Sequence, residues 1–267
     1  SKCEPLAAMG ATVASTPSEA SRGCEAVLMC VTDTPDVEAV IFGPDGVVEG
    51  IGGGSSGEVD RPVLVVDHST ISATSTEEFS GRLEESANAL LLDAPVSGGD
   101  KGAREGTLSI MCGGSEAAFE RAQPLLEAMG RNIVHVGTRS GDGQRTKMIN
   151  QLLCAVNCVA TTEAMCLGEH MGIDMQKVLQ AVTQGACGSW SLSNLGPRFL
   201  ERDFEPGFRL KHLMKDVEIC LEAIHGPGPS GQPEFPGLNL AHSIIVQSVE
   251  AGNGDDNIHG MAKIYPR

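Results

Sequence analysis

The sequence predicts an α/β half with a parallel sheet, followed by an all-helical half, with one long helix joining the two. Strand and helix signals alternate over about the first 140 residues, which is typical of a parallel sheet covered by helices. From Gln144 to about Met171 the chain holds no Pro and one Gly, with apolar residues at helical spacing. Beyond this stretch there is no convincing strand. We therefore predict two domains, 1–139 and 140–267.

The predicted elements follow from short apolar runs and helix-start signals. Residues 26–31 form a continuous apolar run, as a buried parallel strand should, and Pro35 then opens a helix through Phe42. Further strands are predicted at 62–66, 90–92, 109–111 and 133–136, with helices at 72–85 and 115–129 between them. In the second half the helices are 144–171, which is about 40 Å long, 174–182, 209–224 and 238–250. Residues 51–60 and 226–237 are predicted to be loops.

Composition excludes several classes of partner. The chain has 35 acidic and 19 basic residues, a net charge of −16 and 3% aromatic residues; nucleic-acid binders show a basic surface and stacking aromatics. The longest apolar run, 26–31, is too short to cross a bilayer. We expect neither nucleic-acid nor membrane partners. Nine Cys without a CxxC pair indicate an intracellular, reducing compartment, and Cys154 and Cys158 are expected to be small buried thiols.

A glycine-rich segment follows the third predicted strand. In 93–99, Asp-Ala-Pro-Val-Ser-Gly-Gly, Gly98 and Gly99 lack a Cβ, so that backbone N–H groups can turn together towards an anion. Ser97 adds a hydroxyl donor, and a carboxylate is the natural guest. On spacing alone, an ordinary turn is the more common interpretation.

Polar side chains share one face of the long helix. Lys147, Asn150 and Gln151 lie at positions i, i+3 and i+4. A lysine beside amides, at the junction of two domains, can act as a general acid/base if partial burial lowers its pKa; a solvated lysine is the alternative. Lys211, Lys215 and Asp216 share a face of another predicted helix. Lys215 can reach a cofactor or an anionic substrate, but an ordinary solvated i, i+4 pair is the more common interpretation.

Two further polar segments, 31–34 and 67–70, follow predicted strands. Ligands of open α/β sheets bind at the carboxyl ends of the strands, so we expect Thr32 and Thr70 to face a nucleotide. A cap for the next helix is an equally good role for Asp33 or Asp36. Among the histidines, only His212 neighbours a candidate site.

Together these segments resemble the β-hydroxyacid dehydrogenase family, which includes 3-hydroxyisobutyrate dehydrogenase and tartronate semialdehyde reductase. The matching stretches are DHST (67–70), DAPVSGGDKGAREGTLSIMCGG (93–114), GDGQRTKMINQ (141–151) and FRLKHLMKD (208–216). They occur in family order and at family spacing, and the resemblance runs from residue 1 to about 255. It implies an NAD(P)-binding, incomplete Rossmann-type parallel sheet followed by an all-α substrate and oligomerisation domain.

The resemblance also implies roles for individual residues. Lys147 is the catalytic acid/base. The substrate carboxylate is held by Ser97, Gly98 and Gly99, and the substrate oxygen is oriented by Asn150 and Gln151. The cofactor, NAD or NADP, is lined by Val31, Thr32, Asp36 and Thr70, and Lys215 closes over it. Gln151 stands where many relatives have Asn, Thr32 where many have Pro, and the last dozen residues match poorly.

The family opens with a strand, a GxGxxG phosphate loop, a helix and a second strand, and this chain opens without that unit. We expect roughly thirty residues of a βαβ unit to be missing. Without a helix N-terminus for the pyrophosphate, the 267-residue chain should bind NAD(P) weakly or not at all, whereas the full-length protein should be an enzyme.

The expected function is an NAD(P)-dependent oxidoreductase that interconverts a small anionic β-hydroxyacid and its semialdehyde. A 3-hydroxyisobutyrate dehydrogenase-like activity is favoured because Ser97-Gly98-Gly99 stands where some glyoxylate reductases have Ser-Gly-Ser. The alternatives are a glyoxylate/succinic semialdehyde reductase, a non-catalytic structural module and an anion-binding module without redox chemistry. Retention of Lys147 and Lys215 argues against the structural module. We also expect a homo-oligomer, in mitochondria or cytoplasm.

Overall fold

A computed structural model describes residues 3–52, 61–225 and 234–265. The chain divides into two compact units. The first comprises Ser1–Gly98 and Glu105–Thr146, and the second comprises Gly99–Arg104 and Lys147–Arg267. Most of the predicted 51–60 loop and of the predicted 226–237 connection lies outside the described residues.

The first unit is built on a six-stranded sheet. Its strands are β1 (Ala26–Met29), β2 (Val63–Asp67), β3 (Ala89–Asp93), β4 (Val96–Ser97), β5 (Leu108–Gly113) and β6 (Gly130–Gly137), in the order β1-β2-β3-β5-β4, with β6 also paired to β5. The parallel prediction is confirmed for β1–β3 and for β5 with β6. It is wrong where β5 meets β3 and β4, which it pairs antiparallel. Only residues 98–107 link β4 to β5, fewer than a parallel crossover needs.

The helices that precede the long helix are all shorter than it. In chain order they are α1 (Glu4–Ala8), α2 (Pro17–Ser21), α3 (Thr34–Phe42), α4 (Val47–Gly52), α5 (Ala73–Ala87), α6 (Gly99–Glu105) and α7 (Glu116–Glu127). Local capping explains where three of them begin. Asp33 accepts the Thr34 N–H at α3 (2.7 Å), and Ser72 and Ser115 accept backbone N–H groups at α5 and α7.

Both faces of the sheet are covered, because successive residues of a strand point to opposite sides. On one face Val65 of β2 belongs to a cluster with Ile41 of α3 and Phe79 of α5. On the other face, its neighbour Leu64 belongs to a cluster with Ala122 of α7. This two-sided burial is why the strands read as continuous apolar runs.

The second unit is helical. Its helices are α8 (Asp142–His170, whose first five residues belong to the first unit), α9 (Met175–Val182), α10 (Trp190–Leu200), α11 (Leu210–His225) and α12 (Pro236–Ser248), followed by a π-helical turn (Val249–Asn253) and a 3-10 helix (Ile258–Ile264). Its core joins Ala155 and Cys158 of α8 to Leu213 of α11 and Ile245 of α12. The prediction of an α/β half followed by an all-helical half is therefore confirmed.

The long helix α8 is also long and apolar enough, by length and composition, to cross a membrane. The apolar-run criterion used on the sequence did not detect this. The core helix of a soluble protein passes the same test, and α8 places Ala155, Cys158 and Met165 in apolar clusters of the helical unit.

Candidate active site

A hydrogen-bonded polar cluster lies between α8 and α11 in the helical unit. The Gln151 amide donates to the Asp216 carboxylate (2.5 Å) and accepts from the Asn150 amide (2.6 Å). The Lys215 ammonium lies 2.9 Å from the other Asp216 oxygen. One turn of α8 and one turn of α11, 65 residues apart along the chain, thus meet at the buried carboxylate of Asp216. The structure brings together three of the predicted site residues and adds Asp216.

Lys147 is buried on α8, one turn before this cluster, with 6% of its surface exposed. The solvated-lysine alternative is therefore wrong. Burial lowers the pKa of Lys147 below its usual range, because an ammonium group is poorly solvated there, and the charge of Asp216 opposes the shift. A lysine that loses its proton more easily than in water suits a general base near neutral pH.

Two thiols border the same cluster. The pKa of Cys220 is raised to about 12, chiefly by burial and then by Asp216, and burial also raises the pKa of Cys154. Both therefore stay protonated at neutral pH, and neither competes with Lys147 for a proton. The Cys220 thiol contacts the Met148 carbonyl at 3.4 Å.

In the first unit, the predicted nucleotide-facing residues lie at the ends of β1 and β2. The Val31 N–H donates to the Ser69 hydroxyl (2.8 Å), which ties the two strand ends together. Thr32 is exposed and Thr70 is half-buried. Asp36 is exposed in the first turn of α3, and Asp33 rather than Asp36 provides the N-cap.

Two buried carboxylates, which the sequence reasoning did not assign to the site, end the neighbouring strands. Asp67 and Asp93 are register partners on β2 and β3. Asp93 accepts the backbone N–H groups of Gly141 (2.7 Å) and Gln144 (2.9 Å) at the start of α8. Its pKa is raised to about 7, mainly by burial and further by the charge of Asp67. The signal in the sequence is an acidic residue directly after each buried strand.

The predicted carboxylate-binding segment lies between β4 and α6. Ser97 pairs with Ser109 in the antiparallel ladder. Gly98 and Gly99 have φ values of 134° and 64°, a conformation that only glycine adopts without strain. A Cβ at Gly99 would meet nothing within 4 Å, so the requirement there is conformational rather than steric.

Two histidines of the first unit have structural contacts. The His68 ring lies 2.8 Å from the Ala94 carbonyl, and the His135 ring lies 2.8 Å from the Gly114 carbonyl and stacks on Phe119. On α11, burial and the nearby Lys211 charge lower the pKa of His212, which keeps it neutral.

Both halves of the chain are similar to known proteins. Residues 1–137 match the NAD binding domain of 6-phosphogluconate dehydrogenase, and residues 141–265 match the NAD-binding domain of NADP-dependent 3-hydroxyisobutyrate dehydrogenase. The chain is 37% identical to 2-hydroxy-3-oxopropionate reductase of Escherichia coli, over 92% of this chain and 85% of that protein. It is 35% identical to NAD-dependent L-serine dehydrogenase of Pseudomonas aeruginosa, over 99% and 87%. The 3-hydroxyisobutyrate dehydrogenase of Salmonella typhimurium has a similar structure (TM-score 0.84, 30% identity, 98% and 87% coverage).

The fold and the matched domains define an oxidoreductase that uses NAD or NADP. Its strand-end loops lie within the first matched region, residues 1–137, and its polar helical cluster lies within the second, residues 141–265. The chain belongs to the β-hydroxyacid dehydrogenase family.

Proposed function

We propose that the protein interconverts a small β-hydroxyacid and its semialdehyde, with 3-hydroxyisobutyrate as the preferred hydroxyacid and Lys147 as the acid/base. One observation carries the proposal. Lys147 is buried, burial lowers its pKa, and the charge of Asp216 acts on it in the opposite direction. Asp216 also accepts a hydrogen bond from the Gln151 amide. Burial of a cation destabilises the folded state. A buried lysine with a perturbed pKa beside ordered amides is typical of catalytic sites.

The first unit supplies groups that fit a dinucleotide. Its parallel strands β1 and β2 end side by side, with the hydroxyls of Thr32 and Thr70 in the loops that follow. Hydroxyl groups at the carboxyl ends of parallel strands suit ribose and phosphate oxygens. We assign Val31, Thr32, Asp36 and Thr70 to this role, with Lys215 of the helical unit pairing with cofactor phosphate or ribose. When bound, the nicotinamide takes up or returns the hydride.

The protein's own residues would handle the carboxylate, the oxygen and the proton. Ser97, Gly98 and Gly99 would bind the substrate carboxylate through the serine hydroxyl and backbone N–H groups. In the oxidation direction, neutral Lys147 would accept the hydroxyl proton at its Nζ atom. In reduction, the Lys147 ammonium would return that proton to the oxygen. The lowered pKa of Lys147 favours the neutral form that the first direction needs.

Asn150 and Gln151 would orient the substrate oxygen. Gln151 already has its Nε2 committed to Asp216 and its Oε1 to Asn150, so its side chain is fixed in one orientation. An amide held in this way costs less entropy when it meets a ligand than a mobile one. Gln151 extends one methylene further than Asn, and its amide contacts Asp216.

Steady-state kinetics on the full natural chain test the proposal. The substrates are 3-hydroxyisobutyrate, L-serine, tartronate semialdehyde, glyoxylate and succinic semialdehyde, each with NAD(H) and NADP(H). We expect the highest kcat/KM for 3-hydroxyisobutyrate. A preference for glyoxylate or succinic semialdehyde would establish the alternative reductase. Binding of NAD(P) without turnover of any of the five would indicate a non-catalytic module.

We further propose that the helical unit mediates homo-oligomer formation. Ile149, Leu153, Leu167 and Met171 of α8 and its C-terminal turn are 55% to 65% exposed, and large exposed apolar groups on one helix are typical of interfaces. Light scattering on the protein should give a mass above one chain, and a monomer at high concentration would contradict this. All nine cysteines lie in the described part of the chain as thiols rather than disulfides, which supports our proposal of an intracellular, reducing compartment.

A further inference from the structure

Gln144 is a buried amide in the first turn of α8. Only 1% of its surface is exposed, and its own N–H is bound by the Asp93 carboxylate at 2.9 Å. Buried amides are nearly always hydrogen-bonded, because leaving them unpaired costs their full desolvation free energy. The contacts of the Gln144 side chain therefore indicate its structural role.

Both ends of the Gln144 amide bind one short piece of backbone. Its Nε2 donates to the Ser69 carbonyl (2.8 Å), and its Oε1 accepts the Ile71 N–H (3.2 Å). These two groups lie on either side of Thr70. The side chain thus supplies the donor and the acceptor that a paired strand would supply, and it fixes the backbone that carries Thr70.

Ser69, which belongs to this piece of backbone, makes two further hydrogen bonds. The Ser69 N–H donates to Asp67 (2.9 Å), and the Ser69 hydroxyl accepts the Val31 N–H (2.8 Å). The loop after β2 and the loop after β1 are therefore connected through one hydroxyl, and Gln144 fixes the residue that carries it.

We propose that Gln144 is a positioning residue for the dinucleotide: its amide fixes Ser69 and Ile71, and so sets the placement of Thr70 and, through Ser69, of the Val31 segment. This inference rests on the proposed role of Val31 and Thr70 in cofactor binding. Gln144 need not touch the cofactor. Its effect is on the strength of nucleotide binding rather than on proton transfer.

Gln144→Met tests the inference because it keeps the length of the side chain and removes both hydrogen bonds. We expect KM and Kd for the nucleotide to rise about tenfold, with kcat at saturating nucleotide and KM for the hydroxyacid changed less than about twofold. The matched control is Ser21→Ala, which removes another buried hydrogen-bonding group of the same unit, in contact with Ser18 and Val47. It should lower thermal stability without changing nucleotide affinity.

Gln144→Glu provides a second, reversible test. A protonated Glu can donate to the Ser69 carbonyl and accept from the Ile71 N–H, whereas the ionised form places a negative oxygen against that carbonyl. Nucleotide affinity of this variant should approach the wild-type value on acidification and fall on alkalinisation. Titratable groups beside this loop, among them Asp67, His68 and Asp93, are common to wild type and to Gln144→Met, which serve as references at every pH.

The outcomes separate this inference from the proposed function. If the full natural chain neither binds NAD(P) nor turns over a hydroxyacid, the proposed function fails. If the wild type is active and Gln144→Met changes nucleotide KM no more than Ser21→Ala does, the positioning role is overturned. A loss confined to kcat, or a Gln144→Glu affinity that does not recover at low pH, would overturn it as well.

Discussion

Replacement of Asp93 by Asn should remove a large pH dependence from the stability of the protein. The Asp93 side chain is fully buried and accepts two backbone N–H groups at the start of α8. Burial raises its pKa from 3.8 to about 7. Between these values the folded state keeps a proton that the unfolded state has lost, so the free energy of unfolding falls as pH rises through this window.

The size of the effect follows from the shift. A pKa difference of about three units corresponds to about 4 kcal/mol at 1.36 kcal/mol per unit. Asn cannot titrate, so the variant should gain stability relative to wild type as pH rises. The sequence pI is about 4.8, so the measurement is best made from about pH 5.5 upward, where about 2 kcal/mol of the change remains.

The assay is urea unfolding of wild type and Asp93→Asn at several pH values from about 5.5 to 8. The exposed Asp36, in the first turn of α3, gives the control variant Asp36→Asn, which makes the same substitution at a side chain that is not buried. A constant difference for Asp93→Asn would refute the conclusion that the Asp93 carboxyl titrates differently in the folded and unfolded states.

Two further predictions concern the site itself. Ser97→Ala should raise KM for the hydroxyacid about fivefold through loss of one hydrogen bond, with nucleotide KM unchanged; an unchanged hydroxyacid KM would remove Ser97 from the carboxylate site. Asp216→Asn removes the charge that raises the pKa of Lys147, so the lysine-dependent limb of the kcat/KM profile should move to lower pH, and a shift to higher pH would contradict the electrostatic assignment.

Elements with strong local patterns could be predicted from the sequence. The continuous apolar residues of β1 and β2 and the uninterrupted helical period of α8 predicted these elements to within a few residues. Weak local patterns were missed. The strand β4 has two residues, too few for any period, and α10 contains Gly196 and Pro197, which argue locally against a helix.

The site could be predicted only where a residue type and its spacing along one helix carried the information. Lys147, Asn150 and Gln151 share a face of α8, which spacing shows directly. The role of Asp216 could not be obtained in this way, because its partner Gln151 is 65 residues away and its burial depends on how α8 and α11 pack. The sequence alone therefore favoured an ordinary solvated i, i+4 pair on this face of α11, whereas Asp216 is 4% exposed.

The central claim, that Lys147 transfers the substrate proton, is tested most directly by Lys147→Met in the full natural chain. Met fills a similar volume without an amine, so folding and nucleotide affinity should be preserved. We expect kcat, followed by the absorbance of the reduced nicotinamide, to fall by about 10²–10⁴-fold. Turnover within a few-fold of wild type, with nucleotide binding intact, would contradict the claim.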